Sequence, residues 1–178
     1  NMRILILGGD GYLGWPTAMY LSNSGHVVSV VDNYFRRNIC KQLSSPPLFP
    51  VGTVSERSQL WREWSGYDID VIQGDITDYE FLSRTFRSVL PEAIVHYAEQ
   101  PSAPYSMLGY EQARFTLSNN LIGTLNVAFA VKEIDPDVHI VKLGTMGEYG
   151  TPNIDIEEGF LEIEHKGRQD RLLFPRQA

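Results

Sequence analysis

Five short apolar runs recur along the chain, with helically spaced stretches between them: residues 2–7 (MRILIL), 27–31 (VVSVV), 71–73 (VIQ), 93–97 (AIVHY) and 138–143 (VHIVKL). They lack strict polar alternation, as parallel strands covered on both faces do. Between them, residues 11–24 place Leu13, Ala18 and Leu21 at helical spacing, with Pro16 in the first turn and Gly25 as a stop. Asp78 is an N-cap candidate for a helix over 79–89, where Phe81, Leu82 and Phe86 recur on one face. A long helix is expected over 111–134, with Leu117, Leu121, Leu125 and Phe129 marking one side. Residues 43–66 carry Ser44, Ser45, Pro46, Pro47, Pro50 and Gly52. They read as a loop excursion with one surface helix near 56–64. The tail, 154–178, alternates briefly at Phe160, Leu161 and Ile163 around His165-Lys166-Gly167-Arg168, which suits a β-hairpin. Strands alternating with helices predict an α/β fold, a doubly wound parallel sheet with helices on both faces.

The turn after the first run carries candidate chemistry. Gly8, Gly11 and Gly14 form GxxGxxG between a strand and a helix, with Asp10, Tyr12 and Leu13 interleaved. In such a turn the first glycine permits the tight bend, the second lets the backbone approach a pyrophosphate, and the third packs helix on strand. Free N–H groups at the helix start then bind the anion. Asp32 ends the second strand 24 residues after Gly8, where a carboxylate would hold the adenosine ribose hydroxyls. Its charge repels a 2′-phosphate, which favours NAD over NADP. Arg36 and Arg37 follow it. A grip on a 2′-phosphate, stacking near adenine and a pyrophosphate contact are all open to them. Asp75, followed by Ile76, closes the third strand, where its side chain could accept the adenine amino hydrogens. The expected architecture is thus a Rossmann-type, NAD-binding domain over 1–178, with 151–178 as a hairpin-like extension.

Composition narrows the partners. The 178 residues suit one domain, and 43% apolar with 21% charged residues implies a packed core. A net charge of −7 disfavours nucleic acid. No apolar run nears the roughly 18 residues of a membrane span. The single cysteine, Cys40, rules out an intrachain disulfide and a CxxC metal site, and His96 and His139 have no metal-ligand partner at useful spacing. No metal is expected. The chain opens on a strand without a leader, so a soluble, reducing compartment is expected: cytoplasm, or plastid stroma if the source is a plant or alga.

With these residues in place the chain resembles the extended short-chain dehydrogenase/reductase family, which includes sugar epimerases and dehydratases. Gly8/Gly11/Gly14, Asp32, Asn33, Asp75-Ile76, His96-Tyr97-Ala98 and Asn120 with Gly123-Thr124 match its cofactor pattern. Thr145 falls where the family places its catalytic Ser or Thr. GGDGYLGW, VDNYFRR, the 99–107 segment and KLGTMGEYGTPNIDIEEG at 142–159 are similar to the branch that makes the sulfolipid head group from UDP-glucose and sulfite. That branch usually has Arg where Pro101 stands.

The resemblance implies C4 oxidation of the sugar by NAD, loss of water, addition of sulfite (free or from a donor protein) and re-reduction. Thr145 would hold the sugar 4-OH, and Glu148 is the acid/base candidate. Gln100, Ser102, Tyr105 and Met146 are the substrate candidates. Dehydratases of the family place Asp and Glu where Met146 and Gly147 stand. None of the nine tyrosines has Lys at +4, so the family's Tyr-x-x-x-Lys pair is absent from this sequence. The expectation is an N-terminal fragment that is inactive alone and poorly soluble. A homodimer would use the 111–134 helix in a four-helix bundle. A 4-epimerase or 4,6-dehydratase is the alternative enzyme, and a non-catalytic NAD-binding sensor the alternative of another class.

Overall fold

The computed structural model describes residues 1–145 and 159–174, in two compact units, 1–143 and 144–178. In the first, β1 (Arg3–Leu7), α1 (Gly14–Asn23), β2 (Val27–Asp32), α2 (Phe35–Gln42), α3 (Val54–Ser65) and β3 (Ile69–Gln73) come in order. Then follow α4 (Tyr79–Val89), β4 (Ala93–His96), α5 (Ala103–Ser106), α6 (Tyr110–Ile134) and β5 (His139–Lys142). All five strands run parallel in the order β3-β2-β1-β4-β5. The expected sheet is present. Its order reverses at β1, so the loops after β1 and β4 part there and leave a crevice at the strands' carboxyl ends.

The apolar runs alternate between two cores. Ile4 and Ile6 of β1 join Val28, Val30, Trp15, Ala18 and Val54 on the face covered by α1 and α3. Leu5 and Leu7 join Val31, Leu82, Phe86, Ile94 and Val127 on the face covered by α4 and α6. A strand buried on both sides has no polar face to show, which is why the sequence pattern was continuous.

Two helices lie outside the expected set. Helix α2 buries none of its residues and starts from Tyr34 in a left-handed conformation (φ 57°). Helix α5 is one turn, capped by Ser102 Oγ on the Tyr105 N–H. The excursion's helix, α3, is longer than expected and opens with a capping box between Thr53 and Glu56. Asp78 caps α4 as expected, accepting from Phe81 N–H.

Helix α6 turns its small and amide residues inward and its leucine stripe outward. Leu117, Leu121, Leu125 and Phe129 are exposed, whereas Asn119, Gly123, Asn126, Val127, Ala130 and Val131 are buried. Close approach selects the small and amide residues. A Cβ on Gly123 would stand 2.5 Å from Ile76 Cδ1, and Asn126 Nδ2 donates to the carbonyls of Ile76 (2.9 Å) and Thr77 (3.0 Å).

In the second unit, β6 (Gly159–His165) and β7 (Arg168–Phe174) pair antiparallel. Lys166 (φ 53°) and Gly167 (φ 71°) both have positive φ, the requirement of a two-residue type I′ turn. Among the described residues no helix is long and apolar enough to cross a membrane.

Candidate functional site

The glycine turn is built by close backbone approach. Gly8 has φ +92°, and a Cβ there would stand 2.8 Å from the Tyr97 carbonyl and 2.9 Å from the Ala98 nitrogen. The turn thus lies directly against the segment leaving β4. The N–H groups of Gly8 and Gly9 donate to Val31 O at 2.8 and 3.1 Å, tying the turn to the end of β2. A Cβ on Gly14 would fall 2.0 Å from Gly8 O, so α1 packs with no room for a side chain. Helix α1 begins at Leu13 without a side-chain cap, and its first turn holds no acidic residue. Its amide groups and dipole are therefore directed at the crevice mouth, where an anion fits. Tyr12 (81% exposed) and Leu13 flank it at the surface.

Asp32 stands at the end of β2 as expected. Its Oδ2 accepts from Asp10 N–H (2.8 Å) and its Oδ1 from Tyr34 N–H (2.7 Å). Burial raises its pKa above the usual 3.8 against the lowering effect of those two N–H groups. Each oxygen keeps further acceptor capacity for a ribose hydroxyl. Asn33 Nδ2 donates to Asp75 Oδ2 (2.9 Å), while Thr77 donates its N–H and hydroxyl to Asp75 Oδ1. Burial of Asp75 opposes ionisation, but these hydrogen bonds prevail and its pKa is lowered. The Asp75 carboxylate is thus engaged from two sides by the chain itself. Ile76 is buried (4%) beneath α6.

Asp10 and Arg37, both assigned to the cofactor by sequence, face one another. Arg37 Nε and Nη2 hold Asp10 Oδ2 and Oδ1 at 2.6 and 2.7 Å. Arg57, which sequence reasoning missed, adds Nη2 to Oδ1 at 2.5 Å. Burial lowers the Arg57 pKa, and the hydrogen bond to Asp10 raises that of Arg37. The one signal in the sequence is Asp10 itself, since an acid inside an anion-binding turn demands compensating cations. Arg36 is exposed on α2. A groove of about 440 Å³ opens beside this cluster, lined by Asn33, Tyr34, Arg37, Lys41, Thr53 and Gln73 among others.

The loop after β4 is held by amide side chains. Asn120 Oδ1 accepts from Gln100 N–H (2.8 Å) and its Nδ2 donates to Gln100 O (3.2 Å). Gln100 is buried; its side chain binds Ser102 N–H (2.7 Å), Ser102 O (3.1 Å) and Thr116 Oγ1 (2.8 Å). Tyr105 is buried edge-on against Phe35. The structure therefore gathers Tyr97, Ala98, Gln100, Ser102, Tyr105 and Asn120 beside the crevice. The Gln100 and Asn120 amides shape the loop from within.

Behind that loop, His96 Nε2 lies 3.3 Å from Thr124 Oγ1 and 3.6 Å from Glu99 Oε1, and Lys142 Nζ donates to the same Glu99 oxygen at 2.6 Å. Burial, with help from the Lys142 charge, pushes the His96 pKa down to about 4. Thr145 is exposed, at the start of the second unit. Met146 and Glu148 lie outside the described residues.

The chain is 52% identical over 176 residues to the UDP-sulfoquinovose synthase, chloroplastic, of Spinacia oleracea, covering 99% of the chain and 36% of the relative. It is 46% identical over 178 residues to the UDP-sulfoquinovose synthase of Sulfolobus acidocaldarius, covering 99% of the chain and 45% of the relative. The chain thus spans less than half the length of these curated relatives. Among solved structures, it is similar to the UDP-glucose 4-epimerase of Bifidobacterium longum in complex with NAD+ and UDP. There the TM-score is 0.64 at 22% identity, over 85% of this chain and 39% of that one. The UDP-glucose 4-epimerase of Brucella ovis in complex with NAD matches with TM-score 0.61 at 25% identity, over 86% of this chain and 39% of that one. The family model matches residues 4–167, and the chain belongs to the NAD dependent epimerase/dehydratase family.

Proposed function

We propose that this chain binds NAD at the β1–α1 turn and contributes that cofactor site to an enzyme making UDP-sulfoquinovose from UDP-glucose and sulfite. The observation that carries the reading is the uncapped, acid-free start of α1 behind Gly8, with Asp32 presented beside it. A pyrophosphate suits the first and vicinal ribose hydroxyls the second. The bound dinucleotide would supply a reversible hydride acceptor. The amides of the turn and of the α1 start would hold the pyrophosphate. The Asp32 carboxylate would accept hydrogen bonds from the ribose. Asp75, Asn33 and the groove along α2 border the space open to the adenosine end. The backbone at Tyr97-Ala98 would limit how deep the dinucleotide sits, and Thr145 is assigned to the sugar 4-hydroxyl, with Glu148 as acid/base and Met146 beside the sugar.

The substrate class is supported by the identity to the two sulfoquinovose-forming relatives, and by Met146-Gly147 in place of the Asp-Glu of dehydratases. The exposed Leu117, Leu121, Leu125 and Phe129 stripe on α6 supports a homodimer through that helix.

Two experiments test the reading. Calorimetry should detect NAD+ binding to the chain, weakened at least about tenfold by Asp32→Ala through loss of a charged hydrogen-bond acceptor. Binding untouched by that substitution would refute the site. A chimera carrying this chain in place of the matching stretch of the spinach relative should convert UDP-glucose, NAD+ and sulfite to a sulfonated sugar nucleotide. UDP-galactose or a 4-keto-6-deoxy product would replace the proposed reaction.

A further inference from the structure

The glycine turn contains a charge cluster that phosphate binding alone does not require. The Asp10 side chain is 8% exposed and takes two guanidinium groups, Arg37 from α2 and Arg57 from α3. Arg37 is fixed further by donating to Val51 O (3.1 Å) and Gly52 O (2.7 Å). Arg57 lies over the Trp15 ring, 4.7 Å from its centroid. The backbone N–H of Asp10 meanwhile donates to Asp32 Oδ2. One residue therefore holds both arginines by its side chain and orients the carboxylate at the end of β2 by its amide.

The surroundings make this arrangement consequential. The groove beside Asp32 has Arg37 and Lys41 in its wall. Cations next to a ribose-binding carboxylate would, left unpaired, attract a phosphate on the ribose 2′-oxygen. Arg37 is not unpaired. Its fork is committed bidentately to Asp10, with two further donors on the carbonyls of Val51 and Gly52. The segment between α2 and α3 thus supplies the acceptors that immobilise the first cation, and α3 supplies the second.

We infer that Asp10 is a specificity-determining residue of the dinucleotide site: it sequesters Arg37 and Arg57, denies a 2′-phosphate its partner, and so enforces NAD over NADP. Asp32 repels that phosphate directly. Asp10 withdraws the two guanidinium groups that would otherwise attract it. The inference rests on the proposed dinucleotide reading.

The test is calorimetry of the full chain with NAD+ and NADP+. In Asp10→Asn the ratio of NADP+ to NAD+ affinity should rise about tenfold, the scale of one unit charge acting across several ångströms near a protein surface. Adding Arg37→Gln to that variant should return the ratio towards its starting value. A folded Asp10→Asn protein that binds NAD+ with an unchanged ratio overturns the inference. Asp10→Ser removes the same charge with a smaller side chain; should both variants fail to fold by circular dichroism, Asp10 is a structural anchor and the inference is also overturned. Absence of NAD+ binding to the unaltered chain is a different result, which sinks the dinucleotide reading and this inference with it.

Discussion

His96 should make the fold acid-sensitive well above the carboxylate range. It closes β4 with its side chain buried, 1% exposed, and its Nδ1 has no partner among the described residues. Glu99 would favour an imidazolium at 3.6 Å, but Lys142 takes the same carboxylate oxygen at 2.6 Å and cancels that pull. The result is a pKa lowered from 6.5 to about 4, first by burial and then by the Lys142 charge. The folded state therefore binds fewer protons than the unfolded chain between those values. Stability from this group is fully present above pH 6.5 and is lost as pH falls through about 4. At about 1.4 kcal/mol per unit, the shift corresponds to about 3 kcal/mol between neutral pH and about pH 4. Asp32 acts in the opposite sense, since burial raises its pKa and lets the native state take up that proton first, which offsets part of the loss at the acid end. Urea unfolding across about pH 7 to about pH 4.5 should show the midpoint falling with acidity. His96→Asn, neutral throughout, should flatten that slope. A midpoint independent of pH, or an unchanged slope in the variant, would refute the assignment.

Two further substitutions probe the scaffold that presents the site. Gly14→Ala places a methyl 2.0 Å from Gly8 O and 2.8 Å from Gly8 C. Both are backbone atoms, so the turn must move, at a cost of about 2 kcal/mol or more. A urea midpoint equal to that of the unaltered chain would show that α1 can shift without strain. Thr53→Ala removes the side-chain oxygen that accepts at the start of α3 and should cost about 1 kcal/mol. Thermal melting reads the loss, and an unmoved midpoint would show that packing alone sets the start of α3.

What could be read from the sequence divides along a physical line. Patterns fixed by burial on two faces were legible, because nothing but apolar side chains suits a central parallel strand, and the alternation of Ile4 and Ile6 with Leu5 and Leu7 between two cores needs no polar signature. Chemistry fixed by a local backbone demand was legible too, as at Gly8 and Gly14. Helix α2 was not legible, since it buries nothing and so carries no apolar stripe. On α6 the leucine stripe was legible, but the residues that face the sheet were not. The sheet needed a close-packed face of Gly123, Asn126 and Ala130, while the leucine stripe stayed outside. The same limit governs Arg57, which reaches Asp10 across 47 positions of chain from within a polar excursion. Sequence motifs record which residue must stand next to the ligand. A counter-charge supplied from far along the chain leaves no spacing to recognise, and only the acid it neutralises hints that it must exist. For this chain that acid is Asp10, so the carboxylate within the glycine turn, rather than its glycines, marks what is particular about the site.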